Sequence, residues 1–348
     1  MKKTCSLLLF ASLVISANAQ FNAEKTPLIT KSLSADNIKS ILAETSGGSI
    51  SVTGVNASEA KIEVYVIPNN YRKNDLSESE IRERMASEYK LTVEAGNNKL
   101  TAIAEPKDMK MDWKKALNFS FKIFVPKNVS TDLSTSGGSI SLKNLSGDLK
   151  FRTSGGSLNV EDVGGKIDGG TSGGSIHLEN SKADEAELTT SGGSIDARNS
   201  EGKLRLSTSG GSLSLIDLKG DIKATTSGGS IDGRNVHGEL VTHTSGGSVH
   251  LEDMYCSLEA STSGGNIDVS IKEIGKYVRL DNSAGSVDLE LPKGTGVDLD
   301  LSADKIKTDH LENFTGKMEE DRVEGKLNGG GSIVKVKAGS GKIYLKLK

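Results

Sequence analysis

The chain has 348 residues, of which 43 are Lys or Arg and 46 are Asp or Glu, giving a net charge of −3. This balance provides no electrostatic basis for binding nucleic acid and no polybasic patch for a membrane surface. Aromatic residues make up only 4% of the chain, whereas glycine occurs 40 times. Globular cores ordinarily use more large rings, so the composition favours a narrow interior filled by aliphatic side chains.

The N-terminus predicts a secretory signal peptide over residues 1–19. Lys2 and Lys3 precede a short apolar run, and Ala17-Asn18-Ala19 forms an A-x-A cleavage site, so the mature chain is expected to begin at Gln20. The apolar run is too short to span a bilayer, and no later run predicts a transmembrane segment. We therefore expect an exported protein that is periplasmic, at the cell surface or extracellular. A retained N-terminal anchor is the alternative.

Only Cys256 remains after the expected processing, because Cys5 lies inside the signal. One cysteine can form neither an intramolecular disulfide nor a cysteine-based metal site. We interpret Cys256 as a small buried residue at a turn.

Residues 20–134 predict an N-terminal β-strand region with a helical excursion at 77–90. Ser77 and Glu80 have the spacing of a capping box. The apolar residues that follow recur on one face, which predicts a helix packed on the edge or end of a sheet.

Alternating apolar residues predict strands on both sides of this helix. Gly96-Asn97-Asn98 predicts the turn of a hairpin. The predicted strands cover residues 61–67, 91–94, 100–104 and 118–125.

The peptide Thr-Ser-Gly-Gly-Ser recurs with a fixed period across residues 135–281, and an early copy occupies residues 45–49. The steps between copies are 18 or 19 residues, and the last copy ends in Asn266 instead of Ser. A period this short and regular predicts a solenoid in which each repeat is one coil. The expected fold class is all-β: a single-chain β-solenoid of ~18-residue two-strand coils with an N-terminal β-rich segment that carries one helix. The threonines that open the regular copies are Thr135, Thr153, Thr171, Thr190, Thr208, Thr226, Thr244 and Thr262.

Counting each coil from its Thr as position 1, apolar residues occupy positions 6, 8, 15 and 17. This predicts two short strands per coil whose alternate side chains point inward. The Gly-Gly pair predicts a first turn with positive φ. Asn or Asp at position 10 and Gly at position 13 predict a second turn, and stacking would form ladders of Asn/Asp and of Thr/Ser side chains.

Residues 282–348 predict irregular coils that cap the solenoid. Degraded copies of the repeat peptide are assigned at 282–286 and 328–332, and residues 338–348 form a final coil. Irregular ends are expected because an open solenoid end is an exposed sheet edge.

Three features together resemble a known family: the Thr-Ser-Gly-Gly-Ser-Ile coils, the entry strand Phe121-Lys122-Ile123-Phe124-Val125-Pro126, and the ending Asn328-Gly329-Gly330-Gly331-Ser332-Ile333. The chain is similar in these features to the secreted bacterial β-strand-repeat proteins of the domain of unknown function 4097, which are labelled as candidate adhesins. The resemblance covers nearly the whole mature chain. It implies a β-solenoid at the envelope or outside the cell, and it supplies no catalytic motif.

Outward position 7 carries the only candidate metal ligands, Asp232, His250 and Asp268 on three successive coils. Histidine and carboxylate at strand spacing are able to bind a metal. The alternative is a surface charge ladder in which each cross-strand pair contributes little. Position 9, which mixes acidic and basic residues, favours the ladder. No catalytic or cofactor-binding residue is predicted, and no cofactor.

Two further alternatives concern Ca²⁺ and catalysis. The coil is twice the length of the Ca²⁺-binding nonapeptide, yet its turn lacks the second glycine and the aspartate of that motif. A polysaccharide-active β-helix enzyme needs positioned carboxylates in a cleft, which long loops usually build. Residues 135–281 contain no insertion longer than one residue.

The sequence therefore predicts a non-enzymatic binding or structural protein of the envelope. The expected partner is a cell-envelope protein or a surface glycan, with no nucleic acid. Rows of hydroxyls would suit sugars, but the few aromatics of the array favour a protein partner; they are Phe151, Tyr255 and Tyr277.

Overall fold

The structure, a computed structural model, describes residues 26–69, 76–108 and 116–348. The predicted signal peptide, its cleavage site and the segment around Trp113 lie outside these residues.

The described residues form one α-helix, α1 (Glu78–Glu88), one 3-10 helix (Ala57–Glu59) and 29 strands. The first strands are β1 (Ile29–Ser32), β2 (Ser40–Thr45), β3 (Ile50–Gly54), β4 (Lys61–Pro68), β5 (Tyr89–Gly96), β6 (Lys99–Pro106), β7 (Leu117–Val125), β8 (Ser130–Thr135) and β9 (Ile140–Lys143). The array continues with β10 (Ser146–Thr153), β11 (Leu158–Glu161), β12 (Gly164–Thr171), β13 (Ile176–Glu179), β14 (Lys182–Thr190), β15 (Ile195–Arg198), β16 (Glu201–Thr208), β17 (Leu213–Ile216), β18 (Lys219–Thr226), β19 (Ile231–Arg234), β20 (His237–Thr244), β21 (Val249–Thr262) and β22 (Ile267–Ala284). The last strands are β23 (Val287–Leu291), β24 (Val297–Ser302), β25 (Lys305–Thr308), β26 (Phe314–Met318), β27 (Arg322–Leu327), β28 (Ser332–Ser340) and β29 (Lys342–Leu347).

The chain is an all-β solenoid, as predicted. Each of the first six regular coils contributes one four-residue strand and one longer strand, and equivalent strands of successive coils pair in parallel. The four-residue strands build one face, the short ladder, which contains β9, β11 and their equivalents. The longer strands build the opposite face, the long ladder, which contains β8, β10 and their equivalents. Thr153 lies opposite Thr135 and Thr171, so the repeat peptides stack in register.

The interior is the space between the two ladders, and the four predicted inward positions fill it. Ile140 and Leu142 on the short ladder and Leu149 and Phe151 on the long ladder are each at most 1% exposed. Phe151 is the largest side chain at its position, and the next coil accommodates it with Gly169, where a Cβ would overlap the Phe151 ring. Large and small residues thus alternate to keep the interior filled.

The Gly-Gly pair was predicted to permit positive φ, but the structure shows a different reason for it. Neither glycine of the array pairs adopts a left-handed φ. The second glycine is required because the coils approach closely: a Cβ on Gly156 would overlap the carbonyl oxygen of Gly138 on the preceding coil. A Cβ on Gly155 would meet no atom closer than 3.6 Å.

Positive φ occurs instead at the second turn. Position 10 is left-handed in the seven coils that begin at Thr135 through Thr244, with φ of 54° at Asn144 and 46° at Asn199. Asn and Asp tolerate this conformation better than other non-glycine residues. The side chains also form the expected ladder in places, since Asn235 Nδ2 donates to Asp217 Oδ1 at 2.6 Å.

The N-terminal strands enter the solenoid out of chain order. The early copy of the repeat peptide, at residues 45–49, stacks in register against the first regular copy, with Thr45 opposite Thr135. On its other side, β2 pairs with β6 and β3 pairs with β7. The coil of residues 40–54 is therefore inserted between a coil made by β6 and β7 and the regular array.

Helix α1 lies at this end and packs on β5, as predicted. Its N-cap Ser77 and Glu80 form the expected capping box. Tyr89 and Lys90, which the prediction included in the helix, belong to β5. The hairpin of β5 and β6 turns through Asn97 and Asn98, both with positive φ.

The C-terminal end repeats the out-of-order arrangement. Strand β28 lies between β22 and β24, and β29 lies between β23 and β25. Asn282 replaces Thr in the degraded copy at 282–286, and its Nδ2 donates to the Gly265 carbonyl at 2.9 Å. The prediction of a repeat copy at 328–332 is wrong. In a regular copy the next residue begins a strand of the short ladder, whereas Ile333 pairs with Tyr277 on the long ladder. Residues 328–332 therefore only lead from β27 into β28.

Within the described part of the chain, no helix is long and apolar enough to cross a membrane.

Candidate binding surface on the short ladder

Two of the hydroxyl rows of the array make hydrogen bonds between coils. Thr153 is buried, and its Oγ1 donates to the Gly138 carbonyl at 2.8 Å and accepts from the Gly156 N–H at 3.3 Å. The same pair of bonds recurs at each later regular copy. A second row is formed by position 5, where Ser139 Oγ accepts from the Ser157 N–H at 3.1 Å. These two rows join coils, whereas the serines at position 2, such as Ser136 and Ser154, are exposed.

The outward side of the short ladder carries the predicted position 7 row. His250 lies opposite Asp232 on one side and Asp268 on the other, as the spacing predicts. The row continues to Asp288, which lies opposite Asp268. Sequence reasoning missed Asp288 because it follows the degraded copy, where the period breaks.

The histidine of this row is directed along its own strand. His250 Nε2 lies 3.0 Å from Glu252 Oε1, and both side chains are about half exposed. Among the described residues, no group of three or more His, Cys, Asp or Glu side chains has the geometry to hold a metal ion. Metal binding by Asp232, His250 and Asp268 therefore stays a prediction without added support.

A groove of about 660 Å³ opens at the C-terminal end of the row. It forms where β21 and β22 run on as strands of 14 and 18 residues instead of breaking at the second turn. Buried Leu251, Val269 and Leu291 underlie it. The charged residues that line it are five carboxylates and three lysines: Glu252, Asp253, Asp268, Asp288, Glu290, Lys272, Lys346 and Lys348.

The lysines of the groove neutralise its rim. Lys348 Nζ lies 2.6 Å from Glu290 Oε2, Lys272 Nζ lies 3.2 Å from Asp253 Oδ1, and Lys346 Nζ lies 3.6 Å from Asp288 Oδ1. Each pair is partly exposed, so each stabilises the fold by little.

Asp268, which lines the groove, has neither a hydrogen bond nor an ion pair within the described structure. Desolvation by burial and the nearby Asp288 carboxylate raise its pKa above 3.8, against smaller lowering effects of His250 and Lys346. The groove therefore holds a carboxylate whose negative charge is incompletely compensated.

The aromatics of the array offer no open platform. Phe151 is buried. Tyr255 stacks on His237 with ring centroids 4.6 Å apart. Arg279 covers the Tyr277 ring at 4.2 Å, and the Tyr277 hydroxyl donates to Glu239 Oε1. One face of each of these two tyrosine rings is therefore already in contact with a neighbouring side chain.

Cys256 is 2% exposed, so it is buried as predicted, but it lies within strand β21 and not at a turn. Desolvation raises the pKa of its thiol to about 12. The thiol therefore lacks the lowered pKa of a reactive cysteine.

Together these features define a class of protein: a parallel β-solenoid with charged outward faces and a groove at one end. Residues 238–346 match the family model described as Toastrack DUF4097. This match confirms the predicted family resemblance for residues 238–346, which contain the groove, but it does not extend over nearly the whole mature chain as predicted.

Two solved structures align with the chain. One is a proposed cell adhesion protein from Clostridium sporogenes, at 13% identity and a TM-score of 0.21, with 92% of this chain and 98% of that chain covered. The other is a proposed adhesin from Bacteroides fragilis, at 13% identity and a TM-score of 0.23, with 92% and 96% covered. At this level of similarity they carry no argument about function. Comparison with curated proteins finds no match.

Proposed function

We propose that the chain is a non-enzymatic, exported β-solenoid that binds a protein partner at the cell envelope, in the manner of an adhesin. The observation that carries this proposal is the groove at the end of the position 7 row, where five carboxylates face three lysines around the unpaired Asp268. An excess of carboxylates favours a partner that presents basic side chains.

A protein partner is favoured over a glycan. The threonine hydroxyls are buried between coils, and the aromatic rings are buried or already in contact with His237 and Arg279. The proposed location, at the cell surface or outside the cell, follows from the predicted signal peptide and from the family.

The test uses the chain beginning at Gln20 as bait for an envelope extract of its own cells. The Asp268→Asn/Asp288→Asn variant removes two charges from the groove. Asp148→Asn/Asp221→Asn is the matched control, because it removes two exposed charges from the long ladder, on the opposite face. We expect one protein to be captured by the parent and the control, in a salt-dependent manner, and lost from the groove variant.

Capture that is equal for both variants would contradict a role for the groove, and the absence of any captured protein would contradict the binding function itself. A parallel capture with a chelator distinguishes the metal-binding alternative. Loss of the partner on chelation would favour a metal bridge over direct charge contact.

A further inference from the structure

The last strand of the long ladder at its C-terminal end is β26, an edge strand that pairs with β27 alone. Within residues 116–348, no backbone group bonds to the outer edge of β26. An edge strand of this kind is a template for pairing with another chain.

Two hydrogen bonds establish which backbone groups of β26 are unpaired. The Glu319 N–H donates to the Arg322 carbonyl at 2.8 Å, and the Asn328 N–H donates to the Asn313 carbonyl at 3.1 Å. In an antiparallel pair the bonded residues alternate, so the odd-numbered residues face β27. The N–H and C=O groups of Phe314, Gly316 and Met318 therefore point away from the protein.

The side chains of the same residues form an apolar row. Phe314 and Met318 lie opposite Leu327 and Val323, which are buried, so all four share the inner face of the ladder. Phe314 is partly buried, whereas Met318 is 53% exposed. Among the described large apolar residues, only Met318 and Ile333 are this exposed.

The opposite end of the solenoid is protected. Helix α1 packs on the edge strand β5, and Lys31 Nζ donates to the Val93 carbonyl of that strand at 3.3 Å. Arg82 of α1 also donates to the carbonyl of Leu28, the residue before β1, at 3.0 Å. Both edge strands pair on one side only within the described residues, but β5 carries α1 and the Lys31 bond, whereas β26 has neither a helix nor a side chain bonded to its outer edge.

We propose that β26 pairs antiparallel with β26 of a second copy of this chain, about a two-fold axis at Gly316. In this register Gly316 faces Gly316 of the second copy, and Phe314 faces its Met318. The Phe314–Met318 pairing occurs twice by symmetry, so the register has three pairs. All three are hydrogen-bonded pairs, because the N–H and C=O groups of these residues already point outward. The dimer would exchange six backbone hydrogen bonds and cover both exposed methionines.

The outer face of the strand is compatible with this register. Lys317 would lie opposite Thr315 of the second copy, so no two like charges are directly opposed. Lys317 Nζ also lies 3.8 Å from Glu319 Oε1, which offsets its charge. A pairing shifted by one residue would place apolar side chains on the polar face, which disfavours it.

Sedimentation velocity on the chain beginning at Gln20, over a dilution series, tests the proposal. We expect a reversible monomer–dimer equilibrium that Met318→Lys weakens by about 10-fold or more, since a charged edge residue opposes strand pairing. Ile333→Lys is the matched control, because Ile333 is 50% exposed but lies on β28, which is paired on both sides. A chain that stays monomeric up to about 1 mM, the weak end of specific association, would overturn the proposal.

A second pair of variants tests the register itself. Thr315→Glu would lie opposite Lys317 of the second copy and should tighten the dimer, whereas Thr315→Lys should weaken it. Thermal melting of each variant reports whether the monomer fold is kept. Equal effects of the two substitutions on dimerisation would rule out this register.

Discussion

Thr208 Oγ1 lies 2.8 Å from the carbonyl oxygen of Gly193, one coil away, and it accepts a hydrogen bond from the Gly211 N–H within its own turn at 3.2 Å. One buried hydroxyl thus holds the turn and joins it to the preceding coil. Asn282 makes the equivalent bond to Gly265 where the repeat has lost its threonine.

This relationship predicts that Thr208→Val destabilises the solenoid, although the two side chains have nearly the same shape. The substitution leaves the Gly211 N–H without its acceptor and the Gly193 carbonyl without its donor, at a cost of about 1–3 kcal/mol. Thr208→Ser keeps the hydroxyl and should cost less. Urea unfolding measures both, and equal stability of the valine variant and the parent would show that the hydroxyl is dispensable.

The two glycines of one turn should respond differently to alanine. Gly156→Ala places a methyl group against the backbone of Gly138, so it should destabilise the chain by about 1–3 kcal/mol or more. A Cβ on Gly155 has no atom closer than 3.6 Å, so Gly155→Ala should leave the stability nearly unchanged. Thermal melting of the two variants tests the close approach of the coils. If Gly155→Ala lowered the melting temperature as much as Gly156→Ala, the close approach of the coils at the second glycine would be contradicted.

Asp268 should make stability depend on pH. Because its pKa is raised in the folded chain, the folded state binds this proton more tightly than the unfolded state does. Its contribution to the free energy of unfolding therefore falls as the pH rises from 3.8 through the folded-state pKa. Asp268→Asn should be more stable than the parent at neutral pH and lose that advantage below pH 3.8.

Asp232→Asn is the control for this measurement, since Asp232 is exposed on the same row. Melting temperatures between pH 3 and 8, as an approximate range, compare the two variants. A parent chain that is more stable than Asp268→Asn at neutral pH would show that the carboxylate has a partner in solution.

Cys256 should resist thiol reagents while the chain is folded. Burial limits access, and a thiol with a pKa of about 12 is almost wholly protonated at pH 8. With the chain beginning at Gln20, which lacks Cys5, reaction with a coloured disulfide reagent should be slow in buffer and rapid in denaturant, and Cys256→Ser should give no signal in either. Rapid reaction of the folded chain would mean that the coil opens locally.

The sequence by itself determined the repeating part of this protein. The period, the inward positions such as Ile140 and Leu149, and the Asx turn at Asn144 are local features that recur in each coil, so alignment of the copies with one another reveals them. The row of Asp232, His250 and Asp268 follows from the same period, because residues one coil apart lie on neighbouring strands.

Only the tertiary structure decided the features that depend on contacts between distant segments. Local sequence predicts a Gly-Gly turn from its φ angles, but the contact that requires Gly156 comes from the preceding coil. The placement of residues 40–54 beside Thr135, and of β28 between β22 and β24, joins segments far apart in the chain. No local pattern specifies such pairings, because many strands of this protein share the same alternation and only packing in three dimensions selects among them. The groove at Asp268 and the open edge at Met318 both arise from these pairings, at the end where the repeat loses its regularity.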